Sequence, residues 1–161
     1  MKVLDGPLQE VSRQAREYPA YLLRDRGTGL CLFAARFYGV NDAVHMARAE
    51  MELDLVDTSE RVLEMGEMYG ATAHLGDAWE FAQEWSDEGR QWDAVSCDTF
   101  TGDPMKRSLA SLELWCSLAR EVVTVTHTNG TDYTVPDGWE QHALFERNPR
   151  GGVNWLVLTR A

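Results

Sequence analysis

Residues 53–64 contain the stretch of sequence that decides the fold. They read Leu53-Asp54-Leu55-Val56-Asp57-Thr58-Ser59-Glu60-Arg61-Val62-Leu63-Glu64. The apolar residues over 52–56 predict a strand that ends at Asp57. Thr58 or Ser59 then supplies a hydroxyl of the kind that caps helices, and the predicted helix stops at Gly70. A strand, an acid, a cap and a helix thus follow one another within 20 residues.

The same succession recurs on both sides of this stretch. The predicted strands cover 30–35, 52–56, 71–75, 92–97 and 121–126, and the predicted helices cover 42–51, 60–69, 78–88 and 105–119. A helical segment over 8–24, interrupted by Pro19, precedes them. Two further strands, 139–146 and 153–159, are joined by a short loop with Pro149 and two glycines, which predicts an antiparallel hairpin.

Strands that alternate with helices predict a parallel sheet covered on both faces, because each right-handed crossover lays a helix against the sheet. We therefore expect a doubly wound, mostly parallel, Rossmann-like α/β sheet of about seven strands with a C-terminal antiparallel hairpin. Nothing in the sequence divides the chain, so we expect one domain over 1–161, in which 1–27 form an N-terminal helical segment and loop.

Composition narrows the class of protein. The chain has 161 residues, 26 Asp and Glu against 15 Lys and Arg, and a net charge of −11. This acidic balance argues against nucleic acid as a partner, since a phosphate backbone is bound by clustered basic residues. The sequence has neither a membrane-span-length apolar run nor the apolar core of a signal peptide. With three widely spaced cysteines, these features predict a cytoplasmic protein with reduced thiols.

Three predicted strands in succession end in a carboxylate. Asp57 follows the second strand, Asp77 the third and Asp98 the fourth. Because ligands of open parallel sheets bind outside the carboxyl ends of the strands, these acids would meet at one rim. A carboxylate at the second strand can accept both hydroxyls of a ribose, and one at the third can accept an exocyclic amine such as that of adenine. A single acid in such a place is usually a helix cap, and that alternative stays open.

These residues resemble the class I S-adenosylmethionine-dependent methyltransferases over roughly residues 28–160. The stretch 53–64 is similar to the second-strand motif of that family, where the acid matching Asp57 binds the ribose of the cofactor, beside Thr58. His74-Leu75-Gly76-Asp77-Ala78 is similar to the third-strand motif, in which the acid contacts adenine and the residue matching Ala78 lies beside the ring. The fourth-strand stretch Asp98-Thr99-Phe100-Thr101-Gly102 most resembles spermidine-synthase-like members, in which the acid matching Asp98 deprotonates the attacking amine.

The first loop of that family is glycine-rich, because the backbone passes close to the methionine part of the cofactor. Here it reads Ala34-Ala35-Arg36-Phe37-Tyr38-Gly39, in which only Gly39 matches the pattern fully and Ala34 is a small substitute. The loop either takes another path or alters the methionine end of the pocket. The resemblance also lacks the N-terminal β domain of the spermidine synthases, since only about 28 residues precede the first predicted strand.

The resemblance implies S-adenosylmethionine as cofactor and transfer of a one-carbon or related group to a small molecule, with Asp98 as general base if the acceptor is an amine. Two alternatives stay open: a degenerate member that binds a small molecule or a protein partner without catalysis, and an aminopropyltransferase-like enzyme.

Other residues carry weaker hypotheses. His127, at the end of the fifth strand, faces the same rim. Cys97 and His74 lie inside strands, where Cys97 is expected to be a small core residue and His74 to be packed or hydrogen-bonded. No spacing of histidines and cysteines predicts a metal site. Trp139 and Trp155 lie on the hairpin, which in the resembled fold often borders the substrate cleft; packing at the sheet edge or a homodimer contact fits them equally well.

Overall fold

The computed structural model describes residues 27–35, 43, 46–47, 50–99, 102–128, 130–148 and 153–161. The predicted N-terminal helix, Gly39 and most of the predicted helix 42–51 lie outside these residues, although Ala43, Met46 and Ala47 are helical. The strands are β1 Thr28–Leu32, β2 Glu52–Asp57, β3 Thr72–Leu75, β4 Trp92–Cys97, β5 Ala119–Thr128, β6 Trp139–Asn148 and β7 Val153–Arg160. The helices with complete bounds are α1 Arg61–Tyr69, α2 Ala78–Asp87, α3 Asp103–Ala110 and α4 Leu112–Ser117.

The seven strands form a single sheet in the order β3-β2-β1-β4-β5-β7-β6. The first five pair in parallel, whereas β7 pairs antiparallel with both β5 and β6. The predicted fold class is therefore confirmed, including the C-terminal hairpin. The strand order reverses beside β1, and such a switch point opens a crevice at the carboxyl ends of the strands.

Both faces of the sheet are buried, as expected when crossover helices cover a parallel sheet. One face packs Leu30, Leu32 and Val95 against α2, α3 and α4, around the fully buried ring of Trp115. The other face packs Leu53 and the methionines 46, 51 and 65. Cys97 is 1% exposed and lies in the first of these cores, as expected for a small apolar residue.

Three predicted boundaries are wrong in instructive ways. The first strand ends at Leu32 rather than at residue 35, and the next residue, Phe33, has a left-handed φ of 62°. The predicted helix 105–119 is two helices, because the Ser111 hydroxyl donates to the Arg107 carbonyl at 2.7 Å and the backbone departs from helical geometry at this serine. The residue that caps α1 is Glu60, which makes no side-chain capping bond, rather than Thr58 or Ser59.

A partly buried polar cluster links β2, β3 and β4. Asp54 of β2 accepts hydrogen bonds from the indole of Trp92 and binds the ring of His74, both at 2.8 Å. The guanidinium of Arg90 lies 3.5 Å from Asp54 and stacks over Trp92 at 4.5 Å. His74 is thus hydrogen-bonded to Asp54 within the sheet, as predicted.

Asp93 fastens the start of the described chain to β4. Its Oδ2 accepts the backbone N–H groups of Gly27 and Thr28, each at 3.0 Å, and its Oδ1 accepts Arg120 at 3.1 Å. Burial by itself raises the pKa of Asp93, but the hydrogen bonds from Thr28, Arg120 and Gly27 more than offset burial and hold the pKa below its ordinary value.

This lowered pKa predicts acid sensitivity. A carboxyl whose pKa is lower in the folded state stabilises the fold above its unfolded pKa, about 4, and loses that contribution as the pH falls through the folded value. Asp93→Asn should therefore unfold more easily than wild type at pH 7, and the difference should shrink below pH 4. Urea unfolding between pH 2 and pH 7 measures this, with the exposed Asp87→Asn as control. An equal difference at both ends of the range would contradict the assignment.

Candidate functional site

Asp57 ends β2 and ties two loops together at the carboxyl rim. Its Oδ2 accepts the backbone N–H of Ala35 at 3.0 Å, and its Oδ1 accepts that of Ser59 at 2.9 Å. Its backbone carbonyl accepts Gly76 N–H at 2.9 Å, which joins the rim to the exit of β3. The side chain thus fixes the segment after β1 and the turn before α1.

Asp77 follows β3 at the same rim and is the N-cap residue of α2. Its Oδ1 accepts the backbone N–H of Glu80 at 3.0 Å and thereby caps α2. The capping alternative raised by the sequence is therefore confirmed for Asp77. Among the described residues, its Oδ2 has no hydrogen-bond partner, so one carboxylate oxygen can accept from a ligand.

A cavity of about 450 Å³ opens between these two acids. This volume lies within the range of small-molecule sites. The lining residues come from the carboxyl ends of the first four strands and the helices that follow: Phe33, Ala35, Asp57, Thr58, Ser59, Arg61, Gly76, Asp77, Ala78, Trp79, Thr99 and Pro104. The cavity therefore contains Asp57, Thr58, Asp77 and Ala78 of the predicted site. A larger cavity of about 640 Å³, between α3 and residues 130–136, contains none of the predicted site residues.

Two predicted residues lie beside this cavity without lining it. Ala34 is buried, and its N–H donates to the carbonyl of Val56 at 3.0 Å, whereas its neighbour Ala35 lines the cavity. Asp98 follows β4 and is only 2% exposed. The next residue, Thr99, reaches the cavity and hydrogen-bonds through its N–H to the Thr126 hydroxyl at 3.1 Å.

Phe33 is a site residue that the sequence prediction placed inside a strand. Its ring lies 4.8 Å from that of Trp79 and 6.3 Å from that of Trp115, centroid to centroid. Trp79, predicted only to pack, also lines the cavity, and the guanidinium of Arg107 stacks on its ring at 3.9 Å. The sequence offered no signal for either residue, because Phe33 lies within an apolar run and Trp79 lies on the apolar face of a predicted helix.

The remaining candidates lie elsewhere. His127 is buried at the end of β5, where its Nε2 binds the carbonyl of Thr131 at 2.9 Å and its ring meets Tyr133 edge-on. Trp139 of the edge strand β6 and Trp155 of the inner strand β7 are both buried. Within the described part of the chain, no group of three metal-ligating side chains comes together. The helices of that part are all too short or too polar to cross a membrane.

Solved structures share this architecture. An O-methyltransferase from Bacillus cereus, in complex with S-adenosylhomocysteine, superimposes with a TM-score of 0.67 at 12% identity, over 99% of this chain and 93% of that one. The chain has the fold of the class I S-adenosylmethionine-dependent methyltransferases. The yhhF protein of Escherichia coli gives 0.65 at 18% identity, covering 99% and 90% of the two chains. TrmN from Thermus thermophilus gives 0.63 at 15%, covering 91% of this chain but 48% of its own. No family model matches the chain, and no curated protein matches it in sequence.

The close packing under the cavity yields a prediction. A Cβ at Gly76 would lie 2.7 Å from the Phe81 ring, whereas a Cβ at Gly70 would meet nothing within 4 Å. Gly76→Ala must therefore displace Phe81 and should lower the free energy of unfolding by about 1–3 kcal/mol. Gly70→Ala, at a φ of 64°, reports the cost of left-handed backbone without a steric clash. Urea denaturation of both variants measures the difference. An unchanged stability in Gly76→Ala would contradict the packing described here.

Proposed function

We propose that this protein binds S-adenosylmethionine in the cavity between Asp57 and Asp77 and transfers its methyl group to a small molecule. The observation that carries the proposal is the pair of carboxylates at neighbouring strand ends that line one cavity of about 450 Å³. The methyltransferase-like fold supports it, since ligands of such sheets bind at this rim.

The residues of the cavity fit an adenosine. Each Asp57 oxygen already accepts one backbone N–H, but a carboxylate has about four lone-pair sites, so both oxygens can also accept ribose hydroxyls. The Asp77 Oδ2 is suited to the adenine amine. Ala78 lines the cavity with a side chain small enough to let a flat ring approach.

The cofactor supplies an activated methyl group on its sulfonium, so the contribution of the chain is mainly to bind and orient the reactants. Asp57 would fix the ribose and thereby the direction of the sulfonium. Asp98 is buried next along the chain to Thr99, which lines the cavity. It would act as general base only for an amine acceptor whose binding brings that amine to the buried carboxylate.

Two properties favour a small acceptor in the cytoplasm. The acidic composition, with 26 Asp and Glu against 15 Lys and Arg, disfavours a nucleic-acid acceptor. All three cysteines are free and buried, as a reducing compartment allows.

The burial of Asp98 favours a second candidate function. At 2% exposure, and outside the cavity lining, this carboxylate is poorly placed to meet an acceptor. A protein that binds the nucleoside as a sensor, without group transfer, would keep the cavity and its two acids and would not need Asp98 at the surface.

The binding proposal predicts that Asp57→Asn weakens S-adenosylmethionine binding by about 10- to 100-fold, because hydrogen bonds to a charged group contribute about 1.5–3 kcal/mol. Isothermal titration calorimetry measures the affinity. Asp87→Asn, which changes an exposed acid of α2 outside the cavity, should bind as wild type does. Circular dichroism establishes that both variants are folded. A wild-type protein that does not bind, or an Asp57→Asn variant that binds equally well, would contradict the proposal.

Transfer separates the two candidate functions. Incubation with S-adenosylmethionine and a panel of small amines, alcohols and acids should release S-adenosylhomocysteine, detected by mass spectrometry. For an amine acceptor, Asp98→Asn should lower this release at least about tenfold while cofactor affinity stays the same, as expected for loss of a general base. Tight binding without release for any acceptor would favour the sensor. A rate that Asp98→Asn leaves unchanged would remove Asp98 from the chemistry.

A further inference from the structure

We propose that Ser111, at the break between α3 and α4, is a positioning residue that supports S-adenosylmethionine binding by fixing the indole of Trp79 in the cavity wall. Trp79 lines the cavity, whereas Ser111 does not. This inference rests on the proposed function, because it assigns part of the affinity for the cofactor to a residue outside the cavity.

The hydroxyl of Ser111 takes the place of a backbone donor at the helix break. In an uninterrupted α-helix the carbonyl of Arg107 would accept the N–H of Ser111. Here that N–H donates to the carbonyl of Ser108 at 3.0 Å, and the Ser111 hydroxyl donates to the carbonyl of Arg107 at 2.7 Å. Because its only proton is used in this way, the hydroxyl oxygen offers its lone pairs to another donor. The break thus creates a fixed acceptor between α3 and α4.

The indole of Trp79 uses this acceptor. Its Nε1–H donates to the Ser111 oxygen at 3.3 Å, and the guanidinium of Arg107 lies 3.9 Å from the centre of its ring. The three residues therefore form a closed set of contacts, in which the indole is held at its nitrogen and on its ring. Ser111 and Arg107 line a neighbouring groove to which Trp79 also belongs, so Trp79 is the member of the set that reaches the cavity.

The orientation of this indole matters for the shape of the cavity. Trp79 is half-buried, and the rings of Phe33 and Trp115 pack against it at 4.8 and 6.0 Å between centroids. It follows directly after Asp77 and Ala78 in the chain, and all three residues line the cavity. An indole that loses its hydrogen-bond partner can turn within the wall. Such a turn changes the cavity beside the predicted adenine site.

The test measures the dissociation constant of S-adenosylmethionine by calorimetry on the intact protein. Ser111→Ala removes the hydroxyl and should weaken binding roughly 2- to 10-fold, the range of one neutral hydrogen bond. Ser111→Thr keeps a hydroxyl and should bind as wild type does. Ser117→Ala is the matched control, since this serine of α4 also donates to a helical carbonyl, that of Leu114, but its other partner is Ser86 rather than an indole.

A double-mutant cycle distinguishes positioning of the indole from a merely structural role. Trp79→Phe keeps an aromatic ring but removes the Nε1–H that reaches Ser111. If Ser111 acts through the indole, Ser111→Ala should cause no further loss of affinity in the Trp79→Phe background. A hydroxyl that only stabilises the helix break would cause the same loss in both backgrounds. If Ser111→Ala does not fold, Ser111→Cys, whose sulfur is a weak acceptor, replaces it in the same cycle.

The outcomes separate this inference from the proposed function. Wild-type affinity in Ser111→Ala, or an equal loss in the two backgrounds, overturns the inference, while the proposed function stands. If the wild-type protein does not bind S-adenosylmethionine, the proposed function fails and this inference fails with it. A loss that Ser111→Thr avoids, and that disappears in the Trp79→Phe background, supports the inference.

Discussion

The rim of this sheet depends on the carboxylate of Asp57, which joins segments that follow two neighbouring strands. One oxygen holds the N–H of Ala35, just beyond β1, and the other holds that of Ser59, just before α1. The bond to Ala35 continues the pairing of the two strands past the end of β1, where the Ala34 N–H also donates to the Val56 carbonyl at 3.0 Å, whereas the bond to Ser59 closes a local turn two residues after Asp57. The open crevice between the strand ends is the geometric result, and the acid that shapes it also lines it.

A cluster of aromatic rings connects the cavity wall to the hydrophobic core. The Phe33, Trp79 and Trp115 rings connect the exit of β1 to α2 and α4, so the cavity wall is continuous with the buried core. A wall anchored in the core keeps its shape without a bound ligand, which lowers the conformational cost of binding. The described wall carries charges of both signs, with Asp57 and Asp77 beside Arg61 in the lining and the guanidinium of Arg107 on the Trp79 ring.

Much of this arrangement could be predicted from the sequence. Strands β2 and β4 follow their apolar runs, and Asp57 and Asp77 line one cavity because parallel strands end at the same edge. The position of Phe33 in the cavity wall could not be predicted, because the run from Leu30 to Ala35 is apolar throughout and contains no turn residue that would mark the end of the strand. The break at Ser111 depends on a bond to the Arg107 carbonyl, which apolar periodicity does not reveal. The burial of Asp98 arises from tertiary packing that local sequence does not record.

A crystal structure of the protein with S-adenosylhomocysteine tests the central claim most directly. The account predicts the adenosine in the cavity, with ribose hydroxyls on the Asp57 carboxylate and the adenine amine on Asp77. The hydrogen bonds of Asp57 to Ala35 and Ser59 should persist in that complex. Ligand bound elsewhere on the molecule, or bound in this cavity without contact to Asp57, would contradict it.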